Sequence, residues 1–123
     1  MIEQDAHVTG ADGKISDLML KVVGVTHENL DGTSRQEYLK ELYEGKISEK
    51  SLSLERDPQN EYDRNAIMIM AGEKCLGFVS KEWNETLAAL MDHGSIFEVE
   101  IWEMGLYPPE DGKYYLHILV HET

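Results

Sequence analysis

Apolar and polar positions along this chain follow two periods. Leu18-Met19-Leu20-Lys21-Val22-Val23-Gly24-Val25 is a β-rich run and reads as a first strand. Leu52 and Leu54 alternate with polar neighbours between Lys50 and Arg56, the period of a half-buried strand. Ala66-Ile67-Met68-Ile69-Met70 is a further strand, and Ala71-Gly72-Glu73-Lys74 turns it tightly into Cys75-Leu76-Gly77-Phe78-Val79, giving a hairpin. Phe97, Val99 and Ile101 alternate with Glu98 and Glu100; Tyr114, Leu116, Ile118 and Val120 alternate with Tyr115, His117, Leu119 and His121. These last two strands are separated by the loop at Tyr107-Pro108-Pro109.

Helical spacing occurs twice. Thr33-Ser34-Arg35-Gln36 has the form of a capping box with Thr33 at the N-cap, and Tyr38, Leu39, Leu42 and Tyr43 share one face before Gly45. Trp83, Leu87, Leu90 and Met91 repeat in the same way before Gly94. Helices are therefore expected near 34–44 and 81–92, in the order β, α, β, β, β, α, β, β. The periodicity predicts a core of Val23, Leu39, Leu42, Leu54, Ile67, Ile69, Leu87, Leu90, Val99 and Ile118. Six short strands and two helices imply a mainly β protein, a small and strongly curved antiparallel sheet or partly open barrel.

The length, 123 residues, suits one domain. Residues 1–17 are polar and Gly-punctuated, so a flexible lead-in is expected there and a single domain over 18–123. No apolar run approaches the roughly 20 residues that span a bilayer, and the acidic N-terminus lacks the apolar stretch of a signal peptide. The single Cys75 excludes an internal disulfide and fits a reducing, cytoplasmic setting. The formal charge is −13, which repels a polyanion at long range. Residues 51–83 nevertheless hold four cations against six acids, so most of the excess lies elsewhere. A nearly neutral site on an acidic body could still grip the end of a nucleic acid but not bind long duplex tightly; the plainer reading is that the acidity keeps the protein soluble.

Between two of the strands, Arg56, Asp57, Asn60, Tyr62, Asp63 and Asn65 crowd ten positions. Asn and Asp serve a turn by bonding their own backbone, so part of this content needs no ligand. The whole string, Arg-Asp-Pro-x-Asn-x-Tyr-Asp-x-Asn-Ala-Ile followed by Gly77-Phe78-Val79 and a helix opening at Lys81, resembles the signature of the HIRAN domain. The likeness runs from about Val22 to Asp92 and is most specific over 54–91. It implies an OB-like or SH3-like β-barrel with flanking helices, and a pocket that captures the free 3′ end of single-stranded DNA. Carried over, Asp63 would accept a hydrogen bond from the 3′-hydroxyl, Tyr62 would stack on the last base and Asn60 would line the pocket. Phe78 would border the same groove, and Lys81 and Arg56 would reach phosphate. DNA-binding members carry Arg and an aromatic just after the first strand, where this chain has Thr26 and His27. Thr26 offers phosphate only a neutral contact, whereas His27 still offers a ring.

Other chemistries find little here. Asp57, Glu61 and Asp63 lack a metal-binding pattern, and His117 and His121, four apart on a strand, would stand about 13 Å apart. One cysteine cannot build a zinc site. There is no Gly-x-Ser-x-Gly elbow and no phosphate-binding glycine loop. The expectation is a binding module and not an enzyme, without metal or cofactor. Its expected partner is a single-stranded DNA end, with a helicase or nuclease subunit beside it and no membrane. The alternative is an acidic protein-interaction adaptor with a degenerate pocket.

Overall fold

The computed structural model describes residues 13–110 and 112–123; most of the expected lead-in, residues 1–12, lies outside them. Six strands and two helices follow in the expected order: β1 Leu18–Val23, α1 Arg35–Tyr43, β2 Leu52–Arg56, β3 Ile67–Ala71, β4 Lys74–Val79, α2 Lys81–Asp92, β5 Phe97–Tyr107 and β6 Lys113–Glu122. A short 3₁₀ turn, Glu49–Ser51, leads into β2. All strand pairs are antiparallel, in the sheet order β2-β3-β4-β1-β6-β5. The sheet curls into an OB-like half-barrel. Register shifts at Ile69/Met70 and Ile101/Glu103 add local bend. The two edge strands come back toward each other, and Glu49 bridges the seam by accepting from the Ile101 N–H at 2.9 Å.

The inner face is built by alternation. Leu18, Leu20 and Val22 of β1 are buried while Met19, Lys21 and Val23 point out. Ile67, Ile69, Leu76, Leu116, Ile118 and Val120 complete that face, and Leu39, Leu42, Trp83, Leu87 and Ala88 pack onto it from the helices. Ile15, ahead of β1, is also buried, and its carbonyl accepts from the Glu122 N–H. Val23 corrects the expected core. In the Val22-Val23 pair the pleat turns Val22 inward and leaves Val23 40% exposed. Leu54, Leu90 and Val99 are half-buried at the margin of the core.

Helix α1 begins at Arg35, so its cap is Ser34 and not Thr33. The Ser34 hydroxyl accepts from the Glu37 N–H at 3.2 Å. Thr33 is unavailable because its hydroxyl donates to Asp31 at 2.6 Å. Gln36 is not a capping partner either; its amide spans Val25 and Tyr114. One glycine fixes the centre of the sheet. A Cβ on Gly77 would stand 2.6 Å from the Val23 carbonyl, so only glycine lets β4 approach β1 this closely. That approach places Phe78 opposite Val23 on the outer face.

Candidate nucleic-acid-end pocket

The loop joining β2 to β3 is a chain of Asx turns. The Asp57 N–H donates to the Ala66 carbonyl at 3.0 Å and closes the neck. Asn60 Oδ1 then accepts from the N–H groups of both Tyr62 and Asp63, at 2.9 and 3.1 Å, while its Nδ2 donates to Asp57. Asp63 Oδ1 accepts from the Asn65 N–H at 2.9 Å. This tight winding breaks the extended alternation that would send neighbouring side chains to opposite sides. Tyr62 and Asp63, though consecutive, border the same hollow.

That hollow is an open pocket of about 390 Å³ on the outer side of the sheet, within the range of small-ligand sites. The motif loop, β4, the start of α2 and the turn after β1 surround it. His27, Asn60, Tyr62, Asp63, Phe78 and Lys81 line it, so six of the eight candidates meet in one place. Thr26 and Arg56 are not among the lining residues. Thr26 is exposed in the turn. Arg56 is held elsewhere: its guanidinium donates to both Asp92 carboxylate oxygens, at 3.0 and 3.2 Å, and to the Ala66 and Arg64 carbonyls. It ties β2 to the last residue of α2, where a carboxylate meets the negative end of the helix dipole. Arg56 in turn holds the Asp92 carboxyl below its ordinary range.

Two lining residues with polar side chains, Asn84 and Arg35, lay outside the expected site. Asn84, 5% exposed, donates from Nδ2 to Asp63 Oδ2 at 2.8 Å. Its signal was present in the pattern, as a lone amide on the apolar face of α2 beside Trp83, Leu87 and Ala88. Arg35, at the start of α1, carried no local signal. Its Nε donates to Asn29 Oδ1 and its Nη1 to the Gly24 carbonyl, both at 2.8 Å, and its guanidinium lies 5.1 Å from the Phe78 ring centroid. Among the described residues no carboxylate pairs with Arg35 or Lys81.

The electrostatics of the pocket therefore invert those of the chain. Two unpaired cations, Arg35 and Lys81, face one carboxylate, and no glutamate is among the lining residues. The Asp63 carboxyl is held below its ordinary range, chiefly by the Asn65 N–H, then by Asn84, with Lys81 and Arg56 adding smaller attractions. It stays an ionised, acceptor-only group. Each of its oxygens accepts one bond from the protein and keeps a further lone pair. Tyr62 is 87% exposed, so its ring faces are open to a planar partner. Among the described residues no group of three metal-ligating side chains exists, and no helix is long and apolar enough to cross a membrane. His117 and His121 face separate carboxylates, Glu103 for the first and Asp17 and Glu100 for the second.

Comparison with known proteins finds relatives of this fold. The family model of the HIRAN domain matches residues 21–112. A crystal structure of a protein from Lactobacillus plantarum superposes with a TM-score of 0.64 at 21% identity, over 86% of this chain and 90% of that one. The crystal structure of the HIRAN domain of human HLTF superposes with a TM-score of 0.54 at 21% identity, over 87% of this chain and 76% of that one. No curated protein matches the chain.

Proposed function

The chain belongs to the HIRAN domain family, and on that footing we propose that its pocket captures the free 3′ end of single-stranded DNA. The observation that carries this reading is the placement of Asp63. An ionised carboxylate with spare lone pairs stands beside an open tyrosine ring and two unpaired cations. A terminal nucleotide supplies the complement of each part. Its hydroxyl donates to Asp63, its base stacks on Tyr62, and the first two phosphates on its 5′ side meet Lys81 and Arg35, one each. Phe78, backed by the Arg35 guanidinium, forms the apolar floor. Asn60 acts through the backbone it pins, and His27 adds a second ring at the rim.

Magnitudes favour a modest, end-specific binder. Stacking on one aromatic contributes about 1–3 kcal/mol and is indifferent to sequence. Two neutralised phosphates give a slope of log K against log salt of only about −1.4, at about −0.7 per contact on a single strand. Long duplex would gain little and would meet the acidic remainder of the surface. The role is binding, with no chemical step of its own, in a reducing cytoplasm where DNA ends arise during repair and fork processing. A basic surface on a helicase or nuclease subunit would complement the acidic body. The adaptor reading, with a degenerate pocket, draws on the exposed Glu28, Glu61 and Glu82 at the rim; the lining itself holds no glutamate, which favours end capture. Fluorescence anisotropy at low salt decides the matter. A single strand with a free 3′-hydroxyl is expected to bind more tightly than the same strand ending in a 3′-phosphate. Equal binding of the two, or none, overturns end capture.

A further inference from the structure

We infer that the outward face of β1 is a continuation of the pocket, a track that carries the nucleotides on the 5′ side of a captured end toward Met19. The inference rests on end capture as its premise. Its ground is the register of the sheet. Val23 is both a wall of the pocket and the partner of Phe78, and the pleat sends Lys21 and Met19 to the same side of β1. Across β6 their partners are His117 and Leu119. From Val23 to Met19 the strand covers about 13 Å, at about 3.3 Å per residue.

The chemistry of this face fits a single strand. Val23 and Met19, 40% and 42% exposed, are apolar surface for bases. Lys21 between them is exposed, and among the described residues it has neither ion pair nor hydrogen bond. The other rims of the pocket carry exposed acids next to their lining residues: Glu28 beside His27, Glu61 beside Tyr62, Glu82 beside Lys81. A polyanion leaving the pocket is repelled along those routes and attracted along β1. On the far margin of the track two of the three glutamates of β5 face histidines: His117 Nδ1 lies 3.8 Å from Glu103, and His121 Nε2 lies 3.1 Å from Glu100, while Glu98 stands further along, beyond Met19. Pocket and track together suit about four nucleotides, the lower end of what one OB-like fold covers.

The test uses the full chain with thymidine oligonucleotides of two and six residues, each with a free 3′-hydroxyl. In an amide NMR titration both are expected to shift the signals of residues 62, 63 and 78, and only the hexamer those of 19, 21 and 117. The hexamer's salt slope is expected at about −2.1, for three phosphate contacts, and Lys21→Gln lowers its magnitude by about 0.7. If the hexamer moves the pocket signals but leaves 19 and 21 unmoved, the track is wrong and end capture stands. An unchanged slope in Lys21→Gln also overturns the track. If neither oligonucleotide moves any signal, both fall together.

Discussion

Asn84 Nδ2 stands 2.8 Å from Asp63 Oδ2, which makes helix α2 the support for the carboxylate at the centre of the pocket. Asn84 is buried and Asp63 is reached from solvent, so the amide orients the acid from behind. Asn84→Ala is expected to leave the fold intact and to reduce the preference for a free 3′ end, because Asp63 loses one of its two anchors. Asn84→Asp is expected to do more. Two carboxylates this close do not both ionise readily, so one takes up a proton and its titration moves upward. Paired anisotropy titrations of the two variants at pH 5 and pH 8 check this: Asn84→Asp gains pH dependence and Asn84→Ala does not.

Asp63 and Tyr62 act on different parts of the terminal nucleotide, so their losses should differ in kind. Asp63→Ala is expected to abolish the preference for a 3′-hydroxyl over a 3′-phosphate, because the charge that repels the phosphate is gone. Tyr62→Ala is expected to weaken both ends alike, by about 1–3 kcal/mol, since stacking is indifferent to the hydroxyl. Titrating both oligonucleotides against both variants separates the roles. A selective loss of the free end in Tyr62→Ala would reverse the assignment.

Both helices and all six strands were legible, some by period, as Trp83 and Leu87 at helical spacing and Phe97, Val99 and Ile101 at two, and others, as Leu18–Val23 and Ile67–Ala71, as short apolar runs bounded by turns. The Val22-Val23 pair was not, since two valines are equally apolar and only the register decides which faces in. In the loop, the Asn and Asp content announced a turn, and the string as a whole announced the family. Arg35 was invisible as a pocket residue. It reads locally as helix start, and its place beside Phe78 depends on a contact 43 positions along the chain. Arg56 misled for the opposite reason: a cation in a loop of polar residues invites a ligand, yet Asp92 occupies it from 36 positions away.

Arg56 and Lys81 should therefore separate stability from binding. Arg56→Ala removes four hydrogen bonds that join β2, the loop and α2, and is expected to lower the thermal midpoint by several degrees. Its salt slope for a single strand should stay near wild type. Lys81→Ala, on an exposed side chain without an ion pair, is expected to leave the midpoint unchanged and to reduce the slope by about 0.7. Melting curves and anisotropy at three salt concentrations check the pair.

Leu87 is fully buried where α2 meets the curved sheet. Leu87→Ala should cost about 2–5 kcal/mol, from lost burial plus the cavity left behind. A denaturant titration measures it, and the slope of the transition is expected to stay constant because the surface exposed on unfolding hardly changes.

The titration of Asp63 sets the pH window for end recognition. Hydrogen bonds from the Asn65 N–H and from Asn84, with smaller attractions from Lys81 and Arg56, hold its carboxyl below the ordinary range. In the folded state the ionised form is thus favoured over its unfolded reference, about 3.9 for an aspartate. Whatever the charge contributes is complete above that reference and is lost only as pH falls through the lower, folded value. Between pH 8 and pH 5 the acceptor should not change. The control end must also be constant, and a terminal phosphate is not, because it gains its second charge near pH 6. A 3′-deoxy end, which lacks only the hydroxyl, is the right comparison. The affinity ratio of hydroxyl to deoxy ends is expected to stay flat from pH 8 to pH 5 and to decline only below about pH 4. A break between pH 5 and pH 7 would assign hydroxyl recognition to a group other than Asp63.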